Sequence, residues 1–236
     1  MKIALLGYGK MGKEIEKIAI ARGHEIILKK TENNTFDGLE NADVAIDFSI
    51  PQVATTNISA AINADIPVIS GTTGWLDNYS EIVELCQQKN GAFLYASNFS
   101  LGVNIFFELN KKLAQLINQT DGYRAEVEEI HHTQKLDAPS GTAITLTQDI
   151  IANTKYNNWV LMPNKLAETD IPITAKRIEQ APGTHQITYT SEVDKISIEH
   201  EAFSRKGFAL GAVIAAEWIV EKKGVFSMKD VLGLGN

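Results

Sequence analysis

One short stretch of the chain, residues 129–143, concentrates the side chains that could do chemistry. It contains two adjacent histidines, His131 and His132, followed by Lys135 and by the sequence Ser140-Gly141-Thr142. An imidazole or an ammonium group can donate a proton or stabilise a developing negative charge. Ser140 is placed to cap the next helix, and hydroxyl and N–H groups at a helix N-terminus bind anions such as carboxylates. The stretch therefore predicts proton transfer to an anionic substrate.

Each of these groups also has a simpler interpretation. The two histidines could be metal ligands, with His185 or His200 completing the set, but no recognised zinc-ligand spacing is present and we predict no metal site. Lys135 could be a solvated lysine, and Ser140 could act only as a helix cap. The catalytic interpretation depends on all these groups occurring together in a chain that also carries a dinucleotide-binding motif.

That motif lies at the beginning of the chain. The apolar run Lys2–Leu6 leads into Gly7-Tyr8-Gly9-Lys10-Met11-Gly12, and a helical pattern follows. A strand, the pattern G-x-G-x-x-G and a helix form the context that a dinucleotide site requires. The first two glycines allow a tight turn and a close approach to a pyrophosphate, and the third allows close packing of helix on strand. The six residues of the glycine loop are therefore predicted to bind the cofactor.

The residues after the second predicted strand, Glu25–Leu28, bear on the choice of cofactor. An NAD-specific site usually has Asp or Glu there to bind the ribose, whereas this chain has Lys29 and Lys30. Two lysines suit a 2′-phosphate and favour NADPH, although both could equally be solvated residues at a strand end. Glu32 could still bind the ribose hydroxyls, so NADPH and NADH both stay open.

Strands and helices alternate through the first hundred residues. Further strands are predicted at 44–48, 67–70 and 92–95, which indicates an α/β fold with a doubly wound parallel (Rossmann) sheet. Ligands of such sheets bind beyond the C-terminal ends of the strands. The segments that follow two of these strands could line a nicotinamide pocket or could be turns that cap helices: Gly71, Thr72 and Thr73, and Ala96, Ser97, Asn98 and Phe99.

The pattern changes after Ser100. Helical periodicity at 101–118 and alternation at 123–130, 184–190 and 192–199 predict a second, α+β domain with an open mixed sheet. We expect residues 1–100 and 205–236 to form the dinucleotide-binding domain, and residues 101–204, which contain the stretch 129–143, to form a domain for substrate binding. Residues 153–174 have little periodicity and predict a long loop, either a lid or an oligomer contact.

The composition limits the classes of function. The 236 residues are 44% hydrophobic and 22% charged, as in ordinary globular proteins. A net charge of −7 argues against nucleic-acid binding. The single cysteine, Cys86, fits a reducing compartment. The first apolar run is too short for a signal peptide, and no apolar stretch is long enough to span a membrane. We expect a cytoplasmic protein that does not bind membranes.

The stretch from Glu129 to Ala143 resembles, nearly residue for residue, a motif of the dihydrodipicolinate reductases, also called 4-hydroxy-tetrahydrodipicolinate reductases. This motif is long and far more specific than the glycine loop. The resemblance covers the whole chain in family order and continues in Gly7–Gly12, Gly71–Gly74, Ala96–Asn104, Pro182–His185 and Arg205–Ala212.

The resemblance implies hydride transfer from NADPH or NADH to a small cyclic dicarboxylate in diaminopimelate and lysine biosynthesis. It implies that His131 donates or accepts a proton and that Lys135 is the second proton donor. His132, with Gly141 and Thr142, would bind the substrate carboxylates, and Arg205 would position the substrate or hold the hinge. It also implies a homotetramer assembled through the sheets of the second domain.

The chain departs from the family pattern in two places: it is short between the glycine loop and Val44, and lysines replace the usual acidic ribose-binding residue. Both departures concern the cofactor preference. Two other functions are compatible with the glycine loop: a cofactor-binding sensor without catalysis and a different dehydrogenase on the same architecture. The intact acid and ammonium groups argue against a sensor, and the long histidine-containing motif argues against another dehydrogenase.

Overall fold

A computed structural model describes residues 1–31 and 35–234 as two compact units. Unit 1 consists of Met1–Leu101 and Arg205–Asn236, and unit 2 consists of Gly102–Ser204. Each unit has its own sheet and its own hydrophobic core. Within the described part of the chain, no helix has both the length and the apolar character needed to cross a membrane.

The sheet of unit 1 is entirely parallel. Its strands are β1 (Lys2–Leu6), β2 (Glu25–Lys30), β3 (Val44–Asp47), β4 (Val68–Ser70), β5 (Ala92–Tyr95) and β11 (Gly224–Phe226). They lie in the order β11-β5-β4-β3-β1-β2. The strands β3 and β4 are buried throughout, as expected where helices cover both faces. The predicted doubly wound sheet is confirmed, and only the short β11 was not predicted.

The described residues of this unit form five α-helices: α1 (Lys10–Ala21), α2 (Pro51–Asn63), α3 (Tyr79–Gln88), α6 (Lys206–Ile219) and α7 (Met228–Leu232). The nearly all-apolar α6 is buried because its small residues pack in one core with the sheet and α1. A Cβ at Gly211 would lie 1.7 Å from the carbonyl oxygen of Phe99, so only glycine permits this approach. Phe99 is consequently a core residue, with about 1% of its surface exposed.

The sheet of unit 2 is mixed and open. Its strands are β6 (Arg124–His131), β7 (Asn158–Leu161), β8 (Asp170–Arg177), β9 (Thr184–Thr190) and β10 (Lys195–Glu201), in the order β10-β9-β6-β8-β7. The central strand β6 is parallel to β8 and antiparallel to β9. One face packs against α4 (Leu101–Ile117) and α5 (Gly141–Asn153). The predicted open mixed sheet is confirmed.

The long loop predicted over residues 153–174 is wrong. The segment contains β7 and the beginning of β8, which pair in parallel at the edge of the sheet. The residues of β7 are half-buried or exposed, with no alternation between the two faces. A strand of this kind has no period that the sequence could reveal.

Candidate active site

The site of unit 2 is built on the last residues of β6. Side chains alternate between the two faces of a strand, so Glu129 and His131 share the buried face with Val127. The register places His185 of β9 opposite Glu129 and Arg177 of β8 opposite His131. Three strands thus bring a carboxylate, two imidazoles and a guanidinium together.

The carboxylate of Glu129 is the centre of this cluster and has no solvent exposure. Its Oε1 accepts a hydrogen bond from Arg177 at 3.1 Å, and its Oε2 accepts one from the Ser140 N–H at 3.0 Å. Oε2 also lies 3.6 Å from Nδ1 of His131 and 3.8 Å from Nε2 of His185. The single carboxylate therefore contacts β8, β9 and the beginning of α5.

The pKa values of both imidazoles are lowered, but the charges around the two rings differ. Burial lowers the pKa of His185 to about 3, so this ring is neutral near neutral pH. Burial also lowers the pKa of His131, but here the negative charge of Glu129 opposes the shift. The rings meet edge to face with their centroids 5.0 Å apart. The charge of Glu129 thus makes the pKa of His131 fall less than burial alone would cause.

Lys135 lies in the loop after β6 and is not a free surface lysine. Its Nζ contacts both carboxylate oxygens of Asp137, at 2.9 and 2.8 Å. Partial burial tends to raise the pKa of Asp137, but the hydrogen bond and charge of Lys135 lower it overall. Asp137 holds the ammonium of Lys135 in place, a role that was not predicted from the sequence. His132, also on this loop, is half-buried.

The beginning of α5 faces the same cluster. The Ser140 Oγ accepts from the Ala143 N–H at 3.2 Å and lies 3.1 Å from Nε2 of His185, so this hydroxyl is used within the protein. A Cβ at Gly141 would meet no atom within 4 Å, which leaves open space at the first residue of the helix. The N–H groups of a first helical turn lack carbonyl partners within the helix. Gly141 and Thr142 are thus placed to bind an anion.

The cluster also has the spacing of a metal site. Glu129, His131 and His185 each offer one ligand atom, and these atoms lie within 4.8 Å of one another. However, both oxygens of Glu129 already accept hydrogen bonds, and one of these comes from the positive charge of Arg177. The carboxylate is therefore neutralised by the protein itself.

In unit 1 a cavity of about 440 Å³ lies beside the glycine loop. A Cβ at Gly12 would lie 2.3 Å from the carbonyl oxygen of Gly7, so this glycine permits close packing of α1. By contrast, a Cβ at Gly9 would meet no protein atom within 4 Å. The open space at Gly9, at the N-terminus of α1, fits the pyrophosphate of a dinucleotide. The helix itself starts with Lys10 and Met11.

The structure separates the two lysines that follow the second predicted strand. Nζ of Lys29 forms an ion pair with Glu16 at 2.5 Å and lies 5.0 Å from the centre of the Tyr8 ring. Tyr8 also donates a hydrogen bond to Glu16. Lys30 instead lines the cavity beside the glycine loop. Glu32, the alternative ribose-binding residue, lies outside the described residues.

The hydroxyl of Thr72 belongs to a buried hydrogen-bond network centred on the carboxylate of Asp47, which has no solvent exposure. The carboxylate accepts hydrogen bonds from Ser49 at 2.6 Å, Asn57 at 3.0 Å, Ser70 at 2.8 Å and Thr72 at 2.7 Å. Burial raises the pKa of Asp47, and these four hydrogen bonds oppose the shift. The network ties together the segments that follow β3 and β4.

Other predicted cofactor residues do not line this cavity, although some contact residues that do. Among the described residues, neither Gly71–Thr73 nor Ala96–Phe99 lines it. Gly71 faces the ring of Phe48, which would lie 2.3 Å from a Cβ at that position. Arg205 is the exposed residue before α6. Several residues that line the cavity were not predicted from the sequence, although they follow the ends of β2 and β3: Thr31, Phe48, Ser49 and Ile50.

Family models match almost the whole chain. The model described as dihydrodipicolinate reductase, N-terminus, matches residues 1–99, and the one described as dihydrodipicolinate reductase, C-terminus, matches residues 102–232. A 4-hydroxy-tetrahydrodipicolinate reductase of Christiangramia forsetii is 55% identical over 98% of both chains. One of Rickettsia rickettsii is 33% identical over 94% of this chain and 95% of its own.

Solved structures agree on the fold. A dipicolinate-bound dihydrodipicolinate reductase from Paenisporosarcina sp. TG-14 superimposes with a TM-score of 0.77 at 23% identity, covering 96% of this chain and 97% of the other. Identity this low shows the fold alone. Together with the sequence matches, it confirms the family, the fold class and the enzyme class predicted from the sequence. The chain therefore belongs to the dihydrodipicolinate reductase family, the NAD(P)H-dependent oxidoreductases of diaminopimelate and lysine biosynthesis.

Proposed function

We propose that this chain reduces 4-hydroxy-tetrahydrodipicolinate to tetrahydrodipicolinate, with His131 and Lys135 as its proton-transferring residues. The observation that carries the proposal is the buried His131 beside the carboxylate of Glu129, on the strand that leads to the first turn of α5. When bound, NAD(P)H supplies the hydride. The residues of unit 2 hold the substrate and handle the protons.

Proton transfer follows from the charges of the site. Hydride arrival at a ring carbon builds negative charge, which a nearby acid or ammonium group stabilises as it forms. The imidazole of His131 is only 8% exposed, so water competes little with it as proton donor. Lys135 is held by Asp137 and supplies positive charge and a second proton.

The two carboxylates of the substrate need positive charge or N–H donors. Gly141 and Thr142, at the N-terminus of α5, bind one of them through backbone N–H groups. His132 binds the substrate from the loop that follows β6. Ser140 contributes by capping the helix and holding its first turn in place. Arg205, at the beginning of α6, positions the substrate or the hinge.

The cofactor binds to unit 1, with residues 1–100 and 205–236 as the dinucleotide-binding domain and residues 101–204 as the substrate-binding and oligomerisation domain. The glycine loop binds the pyrophosphate, and Lys30 binds a 2′-phosphate, which favours NADPH. Lys29 supports the site through Glu16. The segments Gly71–Thr73 and Ala96–Phe99 hold the nicotinamide end, beyond the strands β4 and β5.

A homotetramer in the cytoplasm completes the proposal. Alternate residues of β6, Arg124 and Glu126, are exposed on the sheet face opposite α4 and α5. Pairing of these open faces would assemble the oligomer. The reducing cytoplasm is supported by the single, buried Cys86 and by the biosynthetic reaction of the family.

The direct test is oxidation of NADPH and NADH, followed by absorbance, while a synthase makes the cyclic substrate in situ from pyruvate and aspartate semialdehyde. We expect rapid oxidation that depends on the synthase, with NADPH preferred. Cofactor binding without substrate-dependent oxidation would contradict the proposal and favour a sensor. Sedimentation velocity of the same preparation tests the tetramer.

A further inference from the structure

We propose that Glu129 is a positioning residue: its buried carboxylate orients the imidazole of His131 and ties that ring to the first turn of α5. The proposal rests on the proposed role of His131 in proton transfer. It makes the acid and the substrate-carboxylate site parts of one assembly within unit 2, in which Glu129 contacts His131 at ion-pair distance and accepts a hydrogen bond from the Ser140 N–H.

The buried carboxylate of Glu129 has lost its hydration, which costs free energy. A carboxylate without solvent is strongly unfavourable unless a cation and hydrogen bonds compensate for its lost hydration. Arg177 provides the cation, and it also donates to the carbonyl oxygens of Lys135 at 3.4 Å and Asp137 at 2.6 Å. Glu129 and Arg177 together therefore hold the loop that carries Lys135.

The ring of His131 is oriented with its Nδ1 towards Glu129. Its Nδ1 is buried and has no hydrogen-bond partner among the described residues, and Oε2 of Glu129 lies 3.6 Å away. This distance is too long for a hydrogen bond but suits an ion pair with a protonated ring. An imidazole held through Nδ1 presents Nε2 as the atom that gives or takes the catalytic proton.

Gly183 supports this orientation from the side of Nε2. A Cβ at this position would lie 3.3 Å from Nε2 of His131. Glycine therefore keeps the space next to Nε2 clear of any side chain. The ring has a carboxylate near one nitrogen and a glycine without a side chain near the other, an arrangement that suits a positioned acid.

The charges around His131 act on its pKa in opposite directions. Glu129 is the first charged group to oppose the effect of burial and so raises the pKa of the ring. Replacing it by a neutral side chain must lower that pKa. The titratable groups that face His131 come from its own strand, the following loop, β8 and β9, and are Glu129, Lys135, Asp137, Arg177 and His185.

The decisive experiment is an NMR titration of the free protein with labelled histidine, with the His131 signals assigned from their loss in His131→Gln. We expect the neutral ring of the wild type to carry its proton on Nδ1, facing Glu129. In Glu129→Gln, His131 should titrate at lower pH than in the wild type. Glu108→Gln is the matched control, since it removes a carboxylate from an ion pair with Lys111 on α4, outside the site.

Steady-state kinetics provide the second measurement. In Glu129→Gln we expect kcat to fall about tenfold near neutral pH, part of the ~10²–10⁴ that a general acid contributes. The alkaline limb of the kcat profile should move to lower pH, with little change in the KM for NADPH. Glu129→Asp keeps the negative charge and should recover part of the His131 titration.

Unchanged titration of His131 in a folded Glu129→Gln protein would overturn the proposal. If neither variant at position 129 folds, the wild-type tautomer decides: a neutral His131 protonated on Nε2 would equally overturn it. These measurements need no turnover. Failure of the proposed function would instead be seen as near-normal turnover of His131→Gln, so the two failures can be told apart.

Discussion

Two fully buried carboxylates, Asp47 in unit 1 and Glu129 in unit 2, have opposite surroundings. Among the residues that the structure describes, Asp47 accepts hydrogen bonds only from neutral groups, which belong to Ser49, Asn57, Ser70 and Thr72. Glu129 meets one backbone N–H and three ionisable side chains, which belong to Arg177, His131 and His185.

This difference explains what each carboxylate can do. Hydroxyl and amide donors keep their protons across the physiological range, so the network of Asp47 can only hold segments of chain together. The groups around Glu129 include an imidazole, whose proton can move near neutral pH. We therefore propose that unit 1 uses its buried carboxylate to shape a binding site and that unit 2 uses its buried carboxylate to control a proton.

The largest effect should come from removing the proton donors. His131→Gln and Lys135→Ala should each reduce turnover roughly a hundredfold or more, about 2.7 kcal/mol of transition-state stabilisation. NADPH binding should stay nearly unchanged, because the cavity beside the glycine loop is lined by residues of unit 1. Turnover assays and fluorescence titration with NADPH measure the two quantities. Near-normal turnover in both variants would contradict the assigned roles.

The next effect should be on stability. Asp47→Ala leaves four donors without their acceptor, and we expect the free energy of unfolding to fall by about 2 kcal/mol. The loss is limited because the hydroxyls of Ser49 and Thr72, 3.4 Å apart, can partly pair with each other. Urea unfolding measures the change. Asp47→Asn is the control and should lose less, since it keeps one acceptor oxygen; equal losses would argue against the network.

The pH dependence of stability should distinguish the two regions. His185 has a pKa of about 3 in the folded protein and about 6.5 when unfolded, so the unfolded chain binds the extra proton. Stability from this group is complete above the unfolded pKa and is lost as pH falls towards 3, by about 1.4 kcal/mol per pH unit. His185→Gln should reduce this slope of unfolding free energy against pH. Identical slopes would show that His185 is not buried as a neutral ring.

The smallest effect should be on the choice of cofactor. Lys30→Ala should weaken NADPH about tenfold, the value of one charged hydrogen bond, and should leave NADH almost unchanged. Lys29→Ala is the comparison and should discriminate less between the cofactors, because Lys29 is paired with Glu16. Isothermal titration with both cofactors tests this. Equal losses for NADPH and NADH in Lys30→Ala would refute the assignment.

Much of the fold was predictable because it depends on neighbours in the chain. The strands Lys2–Leu6 and Ala92–Tyr95 are apolar runs. Ser140 caps its helix because its Oγ accepts a hydrogen bond from the N–H of Ala143, three residues ahead. The strand β7 lacked such a pattern. Asp137 and Glu129 stood inside the recognised motif, but their roles depend on which groups face them in space.

The sequence by itself determined the family and the alternation of strands and helices, and it predicted His131, His132 and Lys135 as site residues, since these follow from residue order and local periodicity. Only the tertiary structure decided that Arg177 and His185, dozens of positions away, would surround Glu129. It also decided that Lys30 rather than Lys29 lines the cavity. The physical reason is strand register, which sets which side chains share a buried face, and no local pattern records it.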